Sequence, residues 1–558
     1  MSKYAADLRG LAVDASRLGK DIDAVNFGGE ALQIFKQLSQ RDQVQFEPDY
    51  ALSLNNYASH LSELGRNDEA ADYAQQALAI DERLAQQRPD RFEPGYAVSL
   101  SNYASHLSYL GRNDEAAGYA QQALAIRERL AQQRPDRFEP GYANSLNNYA
   151  NRLSNLGRND EAADYAQQAL AIHERLAQQR PDRFEPNYAM SLNNYANRLS
   201  NLGRNDEAVD YAQQALAIYE RLAQQRPDRF EPDYAMSLSN YSNRLSDLGR
   251  NDEGADYAQQ ALAIYERLAQ QRPDRFEPDY GGSLNNYASH LSDLGRDDEA
   301  AGYAQQALAI YERLAQQRPD RFEPDYAFSL NNFANCLSDL GRSDEAADYA
   351  QQALAIHERW AQQRPDRFEP DYAMSLNNYA NRLSNLGRNY EAADYARQAL
   401  AIYERLALKT PQRFNIDHFT VQCYWLFAEW LSLSPASVSL AFGHIAELPD
   451  FIASHKQPAC LFYARFVQGC LSQNAAQQFQ QAIALWPQLT KTGQQNSRAE
   501  FLCVCAWLAQ YDAEALPEQN WLDVWQKFIR QRQGRLPKWL ETVAARLGFS
   551  WPQSTNLD

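Results

Sequence analysis

The chain has 558 residues with 54 basic and 72 acidic side chains, a net charge of −18, and 44% hydrophobic residues. An acidic surface of this kind repels phosphate backbones and makes nucleic acid a poor partner, and a basic or neutral polypeptide suits it better. No stretch is long and apolar enough to span a bilayer, because the aromatic run from Cys423 to Leu433 is short and broken by Glu429.

Taken from the start, MSKYAADLRG has no basic, apolar and small-residue cleavage pattern, so a secretory signal is not expected and a cytoplasmic setting is. From Phe46 onward a phrase of 46 residues recurs, restarting at Phe92, Phe138, Phe184, Phe230, Phe276, Phe322 and Phe368 and stopping at Phe414. Near-copies at a fixed period signify stacked supersecondary units. Residues 1–46 fall into the same register, with Gly19 standing 46 before Gly65 and Ala24 before Ala70. They read as a diverged capping hairpin, which has no neighbour on its outer side. Residues 47–409 hold the eight regular repeats.

Each repeat reads as a helical hairpin. Pro48 fits the first turn of a helix A, followed at helical spacing by Leu54, Tyr57, Ala58, Leu61 and Leu64. Gly65 can take the left-handed conformation that closes a helix, and Asn67 or Asp68 can cap the next. Helix B carries Ala70, Tyr73, Ala74, Ala77, Leu78 and Leu84, and Pro89 is expected to end it. From Asp68 to Arg88 it would be roughly 30 Å long.

The small Ala58 and Ala77, the Gly65 corner, Ala70 early in helix B and the closing proline resemble the tetratricopeptide repeat. The unit departs from the short form of about 34 residues, since Glu82 stands where that form turns and the proline waits until Pro89. The longer second helix is similar to repeats of kinesin light chains and to those beside bacterial signalling ATPases and caspase-like CHAT proteases. The resemblance implies an all-α, right-handed superhelical solenoid of nine hairpins whose helix A faces line a concave groove.

Residues 410–558 differ in composition. Eight of nine tryptophans and five of six cysteines lie there, with eleven acidic and eleven basic side chains, so the net charge belongs to the repeats. Prolines such as Pro435, Pro449, Pro458, Pro487, Pro517 and Pro537 punctuate roughly seven expected helices of a C-terminal domain that caps the solenoid. Phe419 to Leu433 reads as one more, degenerate helix A. Gln526 to Lys538 is basic beside Trp521, Trp525 and Trp539, the pattern of a solvated helix face.

Catalytic signals are thin. There is no phosphate-cradling glycine loop, no His-Glu-x-x-His and no Gly-x-Ser-x-Gly. The six cysteines form no Cys-x-x-Cys pair and have no histidine at metal spacing, so buried free thiols, without metal or cofactor, are expected. His60, His106 and His290 share one repeat register and His173 and His357 another, which marks them as repeat positions. No spacing selects a pair among His418, His444, His455 and the cysteines for nucleophilic chemistry.

Differences between copies are more informative. On a helical wheel Leu54, Tyr57, Ala58, Leu61 and Leu64 share the packing side, and Leu52, Asn56, Ser59 and Glu63 lie opposite. There the Leu52 register becomes Val98, Asn144, Met190, Met236, Gly282, Phe328 and Met374, apolar in most copies. The Ser59 register brings Asn151, Asn197 and Asn243, and the Glu63 register brings Tyr109, Asn201, Asp247 and Asp293. Asn56 never changes. The resemblance implies that Asn56, Asn102, Asn148, Asn194, Asn240, Asn286, Asn332 and Asn378 form an inner ladder, flanked by Asn55 and its counterparts. An amide offers donor and acceptor to any extended backbone, and variable neighbours select side chains. The Asp81 register, which reaches Arg127, His173 and Tyr219, reads as filling between hairpins.

These features point to a non-catalytic scaffold that recognises a protein or a peptide, basic or extended. The resemblance extends this to a regulatory or sensing subunit whose effector, a protease or ATPase, is a separate chain. The competing readings are an enzyme sited in residues 410–558 and a purely structural, self-assembling spacer.

Overall fold

The computed structural model describes residues 1–432, 465–467, 480–482, 484 and 536–547. The expected further helices, the basic run before Lys538, and His444, His455, Cys460, Cys470, Cys503 and Cys505 lie outside the described residues. Helices α1 (Ser2–Arg17) and α2 (Asp21–Arg41) form the first hairpin. Eight more follow, from α3 (Gln43–Glu63) with α4 (Asn67–Gln87) to α17 (Pro365–Asn385) with α18 (Asn389–Lys409). The molecule is an all-α, right-handed solenoid of stacked hairpins.

Sequence and structure differ at the hairpin ends. Each helix A starts five residues earlier than Pro48 suggests: Pro89 is the first residue of the next helix A, and Pro94, the counterpart of Pro48, lies inside it. Proline at the first position loses a hydrogen bond that no helix makes there, so Pro89 opens a helix instead of a loop, and Arg88 alone links the two. The corner is also built differently. Gly65 does take a positive φ of 86°, but the cap position belongs to Arg66, whose guanidinium grips Glu69 at 2.7 and 2.6 Å. Asn67 lies within the helix and accepts a hydrogen bond from Ser62 at 2.9 Å.

Small residues let the hairpins close tightly. Ala58, Ala70, Ala74 and Ala77 are fully buried with Leu54 and Leu61. Tyr57 meets Tyr73 edge to face at 4.9 Å, and the pairing recurs as far as Tyr379 with Tyr395. Successive A helices touch one another more closely than successive B helices, so the A helices line the inside of the curve.

The curve closes on itself. The corner at Gly19 abuts the backbone of Asp274, that at Gly65 abuts Asp320, and that at Gly111 abuts Asp366, always 255 residues on. Divided by the repeat length of 46 residues, that offset is about 5.5 hairpins per superhelical turn. The second turn therefore lies on the first, and the groove becomes a channel. Helix α19 (Pro411–Ser432) continues the stack in the position of one more helix A, and Arg397 reaches its Glu429 at 2.6 Å. Helix α20 (Trp539–Leu547) closes over it: Arg546 donates to the carbonyls of Trp430 and Leu431, and the Trp539 indole donates to Asn385 Oδ1 at 3.0 Å.

Candidate functional site

The inner wall is the face of each helix A opposite its packing stripe. Large apolar side chains stand open on it: Leu52 is 46% exposed, Met236 44% and Phe328 49%, with Val98 and Met190 alike and Met374 half-buried. One turn on, the eight asparagines of the Asn56 register are half-buried or, at Asn148 and Asn286, exposed. None of the eight amides hydrogen-bonds to another described residue. Asn151, Asn197 and Asn243 lie half-buried beside them.

The neighbouring asparagine register has the opposite fate. Asn55, Asn147, Asn193, Asn285 and Asn331 are buried and donate across the hairpin boundary to Ser99, Ser191, Ser237, Ser329 and Ser375, at 2.7 to 3.3 Å. They join hairpins instead of flanking a ligand, because a step of one residue turns the side chain about 100° around the helix.

The Glu63 register is engaged between hairpins. Asn201 donates to Ser154 at 3.2 Å, and Asp247 accepts from Ser200 at 2.9 Å while pairing with Arg244 at 3.1 Å. Asp293 is set apart. The serine that would serve it, Ser246, contacts His290 Nδ1 at 2.9 Å instead, and burial together with nearby Asp339 raises the Asp293 carboxyl to about 6. Tyr109 is exposed and lines a cavity of about 700 Å³ at the seam between turns, with Arg152, Asn155, Arg367 and Arg413.

One inner register escapes the sequence reading. Asp49 becomes Gly95, Gly141, Asn187, Asp233, Asp279, Asp325 and Asp371 in successive repeats. Burial raises the carboxyls of Asp233, Asp279 and Asp325, while the arginines on either side pull them back. The signal was the same variation from copy to copy that marks the Leu52 register, but Pro-Gly and Pro-Asn look like turn chemistry and hide it.

The repeat histidines His60, His106, His173, His290 and His357 are buried in the packing. His173 Nδ1 contacts Ser191 at 2.7 Å, and burial pushes His106, His173 and His290 down to about 4, so they are neutral. Burial drives the Cys336 thiol up to about 12, which leaves it a poor nucleophile. Tyr219, Tyr265 and Tyr311 of the Asp81 register are buried and donate to the carbonyls of Pro186, Pro232 and Pro278.

With inner helices ~10 Å apart, 5.5 hairpins enclose a ring roughly 17 Å across between helix axes. Helices about 10–12 Å in diameter leave an opening of roughly 6 Å, wide enough for an extended chain and too narrow for a helix.

A family model described as tetratricopeptide repeat matches residues 51–129, 96–175, 143–221 and 279–359, and a second of the same description matches 235–274 and 373–407. Among solved structures, BtubC from P. vanneervenii is 21% identical, covering 44% of this chain and 91% of its own, with a TM-score of 0.36. A putative kinesin light chain of Podosopora anserina with nearly identical TPR-like repeats is 23% identical, covering 40% and 98%, at 0.32. Yeast Tom70 is 14% identical, covering 91% and 97%, at 0.38. No curated protein matches the chain.

Proposed function

The chain belongs to the tetratricopeptide repeat family, and on that premise we propose that its inner channel holds an extended stretch of another polypeptide. One observation carries this reading: eight amides at identical positions, from Asn56 to Asn378, stand along the inner wall with no partner among the described residues. Spaced along the superhelix, they can exchange hydrogen bonds with a peptide backbone whatever its sequence. Leu52, Val98, Met190, Met236 and Phe328 then offer apolar contact for its side chains, and methionine suits an adaptable surface. The resemblance to repeats beside signalling ATPases and CHAT proteases supports a recognition or sensing subunit that acts with a separate effector chain.

The test is selection of a random phage-displayed peptide library on the whole chain, repeated with the Asn194→Ala/Asn240→Ala/Asn286→Ala variant. The reading expects extended binders whose affinity drops at least about ten-fold in the variant, a loss of ~1.4 kcal/mol or more. Failure to select any binder, or binders indifferent to the triple substitution, overturns it.

A further inference from the structure

The superhelix contains its own example of a docking edge. Where the second turn rests on the first, the Arg-Pro-Asp-Arg link before a helix A meets hairpin corners one turn below. Arg318 pairs with Asp21 at 2.5 Å, and Arg364 pairs with Asp68 at 2.6 Å. Both carboxylates stand in the first turn of a helix B. The leading arginine of the link is thus a carboxylate ligand at the seam's Arg318 and Arg364, while Arg272, in the link against Gly19, lies over Phe276 instead.

The same link precedes the third, fourth and fifth hairpins, on the edge with no turn against it. There Arg88, Arg134 and Arg180 are exposed and have no polar partner among the described residues. The trailing arginines Arg91, Arg137 and Arg183 lie over Phe92, Phe138 and Phe184 at 4.9 to 5.0 Å and also lack a carboxylate. Later in the chain their equivalents have acids nearby: Arg367 stands 3.8 Å from Asp371, and Asp279 and Asp325 feel the charges of Arg275, Arg321 and Arg367. At the free edge those aspartates are replaced by Gly95, Gly141 and Asn187. Each free link keeps one acid, Asp90, Asp136 or Asp182, against two arginines. A rim of net positive charge therefore stands on a chain whose repeats are acidic as a whole.

We propose that this rim, made by Arg88, Arg91, Arg134, Arg137, Arg180 and Arg183, docks an acidic segment of a partner polypeptide. The segment takes the place that Asp21 and Asp68 take in the internal seam. Guanidinium forks suit carboxylates, and three adjacent links engage several at once, which single exposed pairs do too weakly alone. The rim lies on the edge of the solenoid and is independent of the channel: losing binding at one leaves the other intact.

The test measures anisotropy of fluorescein-labelled octaglutamate and octalysine with the whole chain between about 50 and about 300 mM NaCl. The wild type is compared with Arg134→Glu/Arg180→Glu and with a control of equal charge change on exposed helix B positions, Gln121→Glu/Gln122→Glu/Gln167→Glu/Gln168→Glu. Octaglutamate affinity should fall about ten-fold or more in the rim variant, and no more than about two-fold in the control, with circular dichroism unchanged in both. Equal losses in both variants would reduce the effect to net charge and overturn the proposal, as would unchanged binding. Light scattering completes the test: a wild-type dimer that the rim variant abolishes would assign the rim to a second copy of the chain and equally overturn it.

Discussion

Replacing Arg318 with alanine should open the superhelix without unfolding it. Arg318 and Asp21 are only 17% and 15% exposed, yet the Asp21 carboxyl sits above its ordinary value because burial outweighs the pull of Arg318. The pair is thus a poor source of net stability, but breaking it strands a carboxylate that is already costly to desolvate. Between ~3–5 kcal/mol for breaking a fully buried pair and ~0–1 for an exposed one, Arg318→Ala should cost the seam about 2 kcal/mol. That moves the balance between closed and open turns about thirty-fold. Arg364 with Asp68, which is 62% exposed, should add no more than about 0.5 kcal/mol. Hairpins touch mainly their sequence neighbours, so the loss appears as separated turns and not as lost helix. Small-angle scattering should show a larger radius of gyration for Arg318→Ala with unchanged far-ultraviolet circular dichroism, and Asp21→Asn in the same chain should restore most of the compaction. A radius of gyration equal to the wild type would mean that backbone contact at the glycine corners holds the seam and the ion pair does not. Failure of Asp21→Asn to rescue would show that the stranded carboxylate is not the cost.

Three further outcomes follow from the same contacts. Asn285→Ala removes the buried donor to Ser329 and should cost about 1–2 kcal/mol in a urea melt, while the adjacent Asn286→Ala, on the open wall, should stay within about 0.5 kcal/mol; equal costs would undo the assignment of the two registers. His106, His173 and His290 titrate at about 4 in the folded chain against 6.5 unfolded, so the unfolded state binds more protons between those values. Stability is full above 6.5 and drains as pH falls toward 4, and His173→Gln should flatten that slope in calorimetric melts; a slope unaltered by the substitution would contradict its burial as the neutral form. Asp293 has the opposite sign: its folded value of about 6 lies above the ordinary 3.8, so its contribution is complete at low pH and lost as pH rises through 6. Asp293→Asn should therefore stabilise the chain by about 1–2 kcal/mol at pH ~8 and leave it unchanged at pH ~4; stabilisation of equal size at both would rule out the titration.

The hairpin was legible because its signals are local. A glycine that must take positive φ, alanines at contact positions and a period repeated eight times each constrain the backbone within a few residues. Helix ends were less so. Two prolines five residues apart, Pro89 and Pro94, both satisfy the rule for a first turn, and only the structure shows that the helix runs through the second. Winding was not legible at all. About 5.5 hairpins per turn arises from a small rotation at each hairpin boundary, accumulated over 255 residues, and no spacing within a repeat records it. Asn55 and Asn56 show the limit most sharply: two adjacent amides read as one binding pair, yet one is buried on a serine and the other is open.

Winding also explains why near-identical repeats do not make a uniform surface. Arg364 and Arg134 occupy the same place in the same four-residue link, but Arg364 meets Asp68 because a turn lies beneath it, and Arg134 meets solvent because none does. A residue's surroundings here depend on its repeat position and on where that repeat falls along the superhelix. The substitutions follow that second coordinate in part. Glycine or asparagine replaces the inner aspartate in the third, fourth and fifth hairpins, beside arginines that lack a turn against them, and aspartate returns at Asp233, one hairpin before the first link that a corner abuts. On the inner wall the unchanged amide stands in every copy and the apolar neighbour varies, which is the arrangement expected if backbone contact is shared along the channel and selectivity is assigned hairpin by hairpin.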